Sequence, residues 1–314
     1  MLIIAMSAGI LAYLVYRWTP ALYPYGPAVR HMFSWLQPVL IFLMLFLQFN
    51  KVSPKDFRFR GWHLALLLFQ GLIFATIGYA ISRMPDSTAK LLLEAFACCI
   101  ICPTATASGV ITDKLGGSIP DNMTYLMMIN GLVAVLFPLM IPILHPVEGF
   151  TFMQGFTSIL LKVFPMLIFP ALTAWVLRFL LPKVHEWLLQ YSWAAFYIWS
   201  VSLWICLVMT ARTVAINHLS LQAILMVGLV SIIACFLQFW TGHVIGARTG
   251  AADRITAGQS LGQKNTALLI WLGYTYLTPA TAVAGGLYAI WHNVVNSIEL
   301  KQAQSAGERR LKRS

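Results

Sequence analysis

The chain has 314 residues, of which 59% are hydrophobic and only 10% charged, with a formal net charge of +11. Soluble domains average about 25% charged residues, so this composition excludes a water-soluble globular fold. The basic excess is not a nucleic-acid footprint either. The Lys and Arg residues sit between apolar segments or at the C-terminal end, where they read as cytoplasmic anchors.

A bilayer-spanning helix needs about 20 mostly apolar residues. Apolar windows predict ten such helices, near 1–16, 32–49, 62–82, 89–111, 122–145, 154–181, 187–210, 219–245, 253–273 and 278–299. The expected fold is therefore all-α and integral to the membrane. The first window has no basic leader and no cleavage site, so it reads as a span and not as a removed signal peptide. The fourth and ninth windows are the weakest. Each is interrupted midway by small and polar residues, Pro103-Thr104-Ala105-Thr106-Ala107-Ser108-Gly109 and Gln259-Ser260-Leu261-Gly262-Gln263-Lys264-Asn265-Thr266.

All five cysteines, Cys98, Cys99, Cys102, Cys206 and Cys235, lie inside apolar stretches. Disulfides belong to oxidising, water-facing loops, so these read as packing residues. No second ligand pair completes a metal motif around the first three, and no metal or cofactor is expected.

Placing both termini inside assigns Lys51, Lys55, Arg58, Arg60, Lys114, Arg178, Lys183, Arg248 and Arg254 to the cytoplasm, together with Lys301, Arg309, Arg310, Lys312 and Arg313 of a basic tail over 301–314. Arg17, Arg30, Arg83, Lys90 and Arg212 fall outside, and Lys162 and Lys264 lie within spans. This bias favours an even number of spans with both ends cytoplasmic, in a multi-pass protein of the cell inner membrane.

The interrupted spans are the fourth of the first five and the fourth of the last five. Paired interruptions at corresponding places in two halves of opposite orientation point to an inverted-repeat transporter and to its binding site. The halves are 1–146 and 147–300. Broken backbone within a membrane is tolerated only where protein buries it or a wet cavity adjoins it. Pro103 lacks a backbone donor, and Gly109 and Gly262 are expected to let the chain leave helical geometry. Thr104, Thr106, Ser108, Ser260 and Asn265 then offer oxygens or amides to a ligand. The plainer reading of such small residues is close helix packing; two matched segments favour the functional one.

An enzyme would need a nucleophile–base or metal constellation. The chain has no HExxH and no paired intramembrane aspartates, so no enzymatic chemistry is expected. A ligand-binding receptor or scaffold derived from a transporter remains the alternative to transport.

At Cys102-Pro103, at Thr106-Ala107-Ser108-Gly109-Val110 and at Ser260-Leu261-Gly262-Gln263-Lys264-Asn265, the chain resembles the bile acid:sodium symporter superfamily. Asp56-Phe57-Arg58 and Tyr288-Ala289-Ile290-Trp291-His292-Asn293 are similar to patterns in its bacterial members. The resemblance implies ten helices, with spans 4 and 9 unwound and crossing. It implies a panel domain (spans 1, 2, 6 and 7) and a core domain (spans 3–5 and 8–10). It further implies alternating-access transport of an organic anion, bile-acid-like or a small carboxylate, usually driven by sodium.

Carried over residue by residue, the family's sodium ligands match in part. Ser108 matches a ligand serine, whereas the asparagine that follows it is Gly109 here. Gln70 matches a glutamine of the third span, and Asn130 falls near a family threonine if four residues are inserted around 119–122. The family's acidic residue of the ninth span is Ser260, its glutamine is Lys264, and Asn265 is retained. The coupling-ion site or its replacement is thus expected at Gln70, Ser108, Asn130, Ser260, Gln263 and Lys264. Substrate contacts are expected at Thr106, Ser108, Gly109, Asn265 and His292. His292 also reads as a core hydrogen-bonding residue.

Losing a carboxylate and gaining an ammonium changes the local charge by about two units, and such a site repels sodium. A lysine within a span is by default a functional residue, although snorkelling to an interface is the plainer alternative. Lys264 is expected to occupy a former sodium position or to pair with the substrate. Coupling to sodium, to protons or to nothing stays open, with Glu94 a further candidate carrier.

Overall fold

A computed structural model describes residues 2–146, 149–191, 193–216 and 220–311. Lys312 and Arg313 of the expected tail lie outside the described residues. Those residues form thirteen helices and no strand. They are α1 (Leu2–Trp18), α2 (Gly26–Phe49), α3 (Gly61–Ser82), α4 (Thr88–Ile101), α5 (Ser108–Lys114), α6 (Ile119–Leu144), α7 (Phe152–Leu180), α8 (Pro182–Leu189), α9 (Ala194–Ile216), α10 (Leu221–Gly246), α11 (Ala251–Gly262), α12 (Thr266–Tyr276) and α13 (Pro279–Leu311).

Helix starts are specified locally. Ser87, Ser118 and Ser220 accept from Lys90 N, Asp121 N and Ala223 N at the heads of α4, α6 and α10, which satisfies donors that a first turn leaves free. Thr151 and Gln154 form a reciprocal capping box at α7. After α5 the chain turns through Gly116 at φ +86°, a left-handed conformation that suits glycine.

Six stretches are long and apolar enough to cross a membrane: Pro20–Phe49, Gly61–Ser82, Ile119–Leu144, Phe152–Leu180, Tyr197–Ile216 and Leu221–Gly246. The outer surface agrees with this. On α10, Leu225, Leu229 and Ile233 follow one another at four-residue intervals and are 64%, 60% and 50% exposed. A stripe of that kind is a liability in water and is at home in lipid. The fold is thus that of a helical, multi-pass membrane protein.

The remaining expected spans take other forms. α1 has 17 residues. The fourth and ninth windows are each split into two short helices, α4 and α5, and α11 and α12. The seventh window, 187–210, straddles two elements, because the apolar run begins in the short α8 and the long helix starts only at Ala194. The tenth window stops at 299, whereas helical backbone continues without interruption to Leu311.

Contacts fall into two sets. α1 and α2 pack on α9, and α2 also packs on α7. α3, α4, α10, α11 and α13 form a second cluster, in which α4 lies against α3, α10 and α13. α12 packs on α13 and on α9, α13 itself packs on α9, and α6 packs on α3 and α7, so these three helices join the sets.

Candidate functional site

The two interruptions meet. α4 ends at Ile101, and Cys102 adopts φ −48°, ψ 132°, the extended backbone imposed on a residue before proline. α11 ends at Gly262, and Gln263 is also extended. Thr104 and Lys264 pair as an isolated antiparallel bridge. Asn265 N donates to Pro103 O at 2.9 Å, and Ala105 N to Gln263 O at 3.0 Å. Each break therefore supplies the backbone partners that the other has lost from its helix.

Side chains satisfy the rest. The Lys264 ammonium, 1% exposed, donates to Ile100 O at 3.1 Å, in the last turn of α4. That end of a helix carries a partial negative charge and favours a cation. Gln70 of α3 donates through Nε2 to the same carbonyl and to Cys102 O, and its Oε1 accepts from the Tyr125 hydroxyl. Gln238 of α10 donates to Cys99 O at 3.2 Å and to the Tyr288 hydroxyl at 3.0 Å. Tyr288 in turn donates to Gly262 O at 2.8 Å. Two glutamines from the helices preceding each broken pair thus finish the end of α4.

A second group lies on the α5 side. Ser108 Oγ donates to Asn122 Oδ1 at 2.8 Å, and Asn122 Nδ2 donates to Ser260 Oγ at 2.8 Å. One amide on α6 therefore bridges the two serines. Thr104 Oγ1 donates to Ser260 O at 2.6 Å. From Gln263 a further chain runs along α11. Its Nε2 donates to Gln259 Oε1, Gln259 Nε2 donates to Glu299 Oε2 at 2.6 Å, and Glu299 Oε1 lies 3.3 Å from His243 Nε2.

Of the residues singled out in the sequence, Gln70, Ser108, Ser260, Gln263, Lys264 and Asn265 come together here. The Asn265 side chain is engaged as the N-cap of α12, accepting from Leu268 N at 3.2 Å. Thr106 sits half-buried in the first break. Asn130 lies eight residues beyond Asn122 on α6, 1% exposed, with neither amide atom hydrogen-bonded among the described residues. His292 is buried on α13, edge-on to Tyr288 at 5.9 Å, and its Nδ1 is likewise unpaired among the described residues.

The glycines act differently from expectation. Neither Gly109 nor Gly262 has a positive φ. A Cβ on Gly262 would stand 2.4 Å from the Phe239 ring, and one on Gly109 would stand 2.8 Å from Met123 Cε. Their service is close approach, not unusual backbone. Glu94 is well partnered. Its carboxylate faces His145 at 2.7 Å and accepts from Thr278 N, Thr278 Oγ1 and Thr281 Oγ1 at the start of α13, where a helix favours negative charge.

Asn122, Tyr125, Gln238, Gln259, Tyr288 and Glu299 were not assigned roles from the sequence. The available signal was a lone amide or hydroxyl within an apolar run, as at Gln238. All five cysteines are free and buried. Among the described residues, no three His, Cys, Asp or Glu side chains are grouped to hold a metal ion.

Compared with models of known protein families and with curated proteins, the chain matches none.

Proposed function

We propose that this protein is a secondary active transporter of an organic anion, working by alternating access, in which the Lys264 ammonium takes the place of a co-transported cation. The observation that carries the reading is the bridge between Thr104 and Lys264, where two broken helices exchange backbone partners in the protein interior. Broken helices whose ends face one another, at corresponding places in two halves, are the architecture in which carriers build midplane sites.

Ten spans in two inverted repeats follow if α4 with α5 and α11 with α12 each count as one crossing. Two observations support that count: each pair is interrupted at its fourth position, and the interruptions meet. The packing of α1 and α2 on α9 and of α2 on α7, beside that of α4 on α3, α10 and α13, supports a panel and a core. Membership of the bile acid:sodium symporter superfamily rests on the sequence resemblance alone.

The donors at the crossing argue against bound sodium. Sodium needs several oxygens with free lone pairs. Here Ile100 O is met by an ammonium and an amide N–H. The two serines are joined through Asn122, whose Nδ2 hydrogens face Ser260. A carboxylate able to balance a sodium charge is missing at position 260.

Uptake into proteoliposomes tests the proposal, with labelled cholate and succinate as probes in sodium and in choline media. Uptake of at least one anion, equal in both media, is the expected result. Strong dependence on sodium overturns the cation replacement. Binding of both probes without any uptake overturns transport in favour of a receptor.

A further inference from the structure

Three of the five basic residues that the orientation rule leaves on the outer side share one location. Arg17 lies in the last turn of α1, Arg30 near the start of α2 and Arg212 near the end of α9. All three are therefore at the same end of the helices, and they line one cavity of about 580 Å³. Cavities of roughly 300–1,000 Å³ hold small molecules.

The walls are built and specific. The Tyr23 hydroxyl donates to Arg17 O at 2.7 Å, folding the turn between α1 and α2 over the cavity. The Tyr16 hydroxyl lies against Gly26, where an added Cβ would stand 2.3 Å from it. Phe33 and Trp204 meet edge-on at 5.9 Å deeper in.

The charge has no counterpart from the chain. No Asp or Glu occurs in residues 1–55 or 187–252, which contain every residue lining the cavity. Among the described residues, no carboxylate pairs with any of the three arginines. Arg30 and Arg212 are close enough to act on each other electrostatically. Arginine keeps its charge in any such setting. Snorkelling explains one arginine at a helix end; it does not explain three around a single aromatic-walled cavity.

We propose that this cavity binds an amphiphilic anion, with a phosphate or carboxylate held by Arg17, Arg30 and Arg212 and an apolar body against Phe33 and Trp204. Guanidinium forks match the paired oxygens of such groups. The site lies between α1, α2 and α9, apart from the crossing, and does not depend on transport there. Its ligand comes either from the bilayer, as an acidic phospholipid, or from solution.

Calorimetric titration of the full-length protein in a non-ionic maltoside tests this with three probes: dihexanoyl phosphatidylglycerol, glycerol 3-phosphate and dihexanoyl phosphatidylcholine. The expected result is binding of the first, with weaker or no binding of the zwitterionic lipid. Arg30→Gln with Arg212→Gln should weaken it about tenfold or more, and Arg83→Gln should leave it unchanged. Arg30 is exposed, so the single Arg30→Gln variant decides the matter if the double variant does not fold. Selective binding of the acylated probe supports an amphiphilic ligand, and glycerol 3-phosphate binding as tightly as the acylated probe shows that the apolar walls add nothing and overturns it. Equal affinity for phosphatidylcholine, binding of neither anion, or wild-type affinity in the arginine variants overturns the proposal.

Discussion

The two breaks that meet at the crossing reach the same outcome by different means. The first spans residues 102–107, contains Pro103, and leaves Thr106 half-buried and Ala107 exposed. The second spans only 263–265, contains no proline, and is buried throughout. It begins where Gln263 turns extended to pair with the first break, and ends at the Asn265 cap. Donors run both ways across the crossing: Lys264 Nζ and Asn265 N donate to Ile100 O and Pro103 O, while Cys102 Sγ, Thr104 Oγ1 and Ala105 N donate to Asn265 O, Ser260 O and Gln263 O. The lesson is an electrical one: the negative end of α4 meets the Lys264 side chain from its partner, so each break answers part of what the other leaves open.

The sharpest way to break this complementarity is to reverse the charge. Lys264→Glu sets a carboxylate against the carbonyls of α4, and in sodium-free buffer it should lower stability by about 4 kcal/mol, read by thermal unfolding in detergent. Lys264→Met should do the opposite. Gln70 still satisfies Ile100 O, and exchanging a buried charge for an apolar side chain is neutral or stabilising, so its melting temperature should match or exceed wild type. A loss as large as that of the glutamate variant would show that the ammonium is itself the main support.

Next in size is the close approach at the end of α11. Gly262→Val drives a branched side chain into the Phe239 ring and should cost about 3 kcal/mol, with recovery of monodisperse protein when Phe239→Ala is added. Failure of that rescue would place the role of Gly262 in its backbone. A smaller effect is expected for Asn122→Ala, which cuts both hydrogen bonds between the serines. Such interhelical bonds are worth about 1 kcal/mol in membranes, measured by the same unfolding assay. Smallest of all is Pro103→Ala, at about 0.5 kcal/mol or less, because Cys102 and Thr104 remain held by partners from outside their own segment. If it proves as damaging as Gly262→Val, the first break depends on proline far more than its hydrogen bonds suggest.

The interruptions themselves were legible in the sequence, since Pro103 and the Gln263-Lys264-Asn265 run stand out from apolar surroundings. That they would touch was suggested only by resemblance. The roles of Gly109 and Gly262 were misread because a chain does not announce which glycine faces a bulky side chain ten or more residues away. Asn122 and Gln238 were passed over for a related reason. A single amide in a span is informative only once its helix face is known, and that face depends on the neighbouring helix. The end of α13 escaped the hydropathy windows because residues 300–311 are polar yet good helix formers, which apolar windows cannot register.

One feature bears on energetics. A dissolved ion can be carried across with a substrate and left there, and its downhill movement then performs work. The Lys264 ammonium is covalently part of the chain and rests on Ile100 O. Standing in for such an ion, it would return with every cycle and leave nothing behind. It would strengthen the hold on an anion equally on both faces and so cancel from the final concentration ratio. A carrier made this way would drive its cargo only by exchange for another anion, and would be indifferent to how much sodium the cell keeps out.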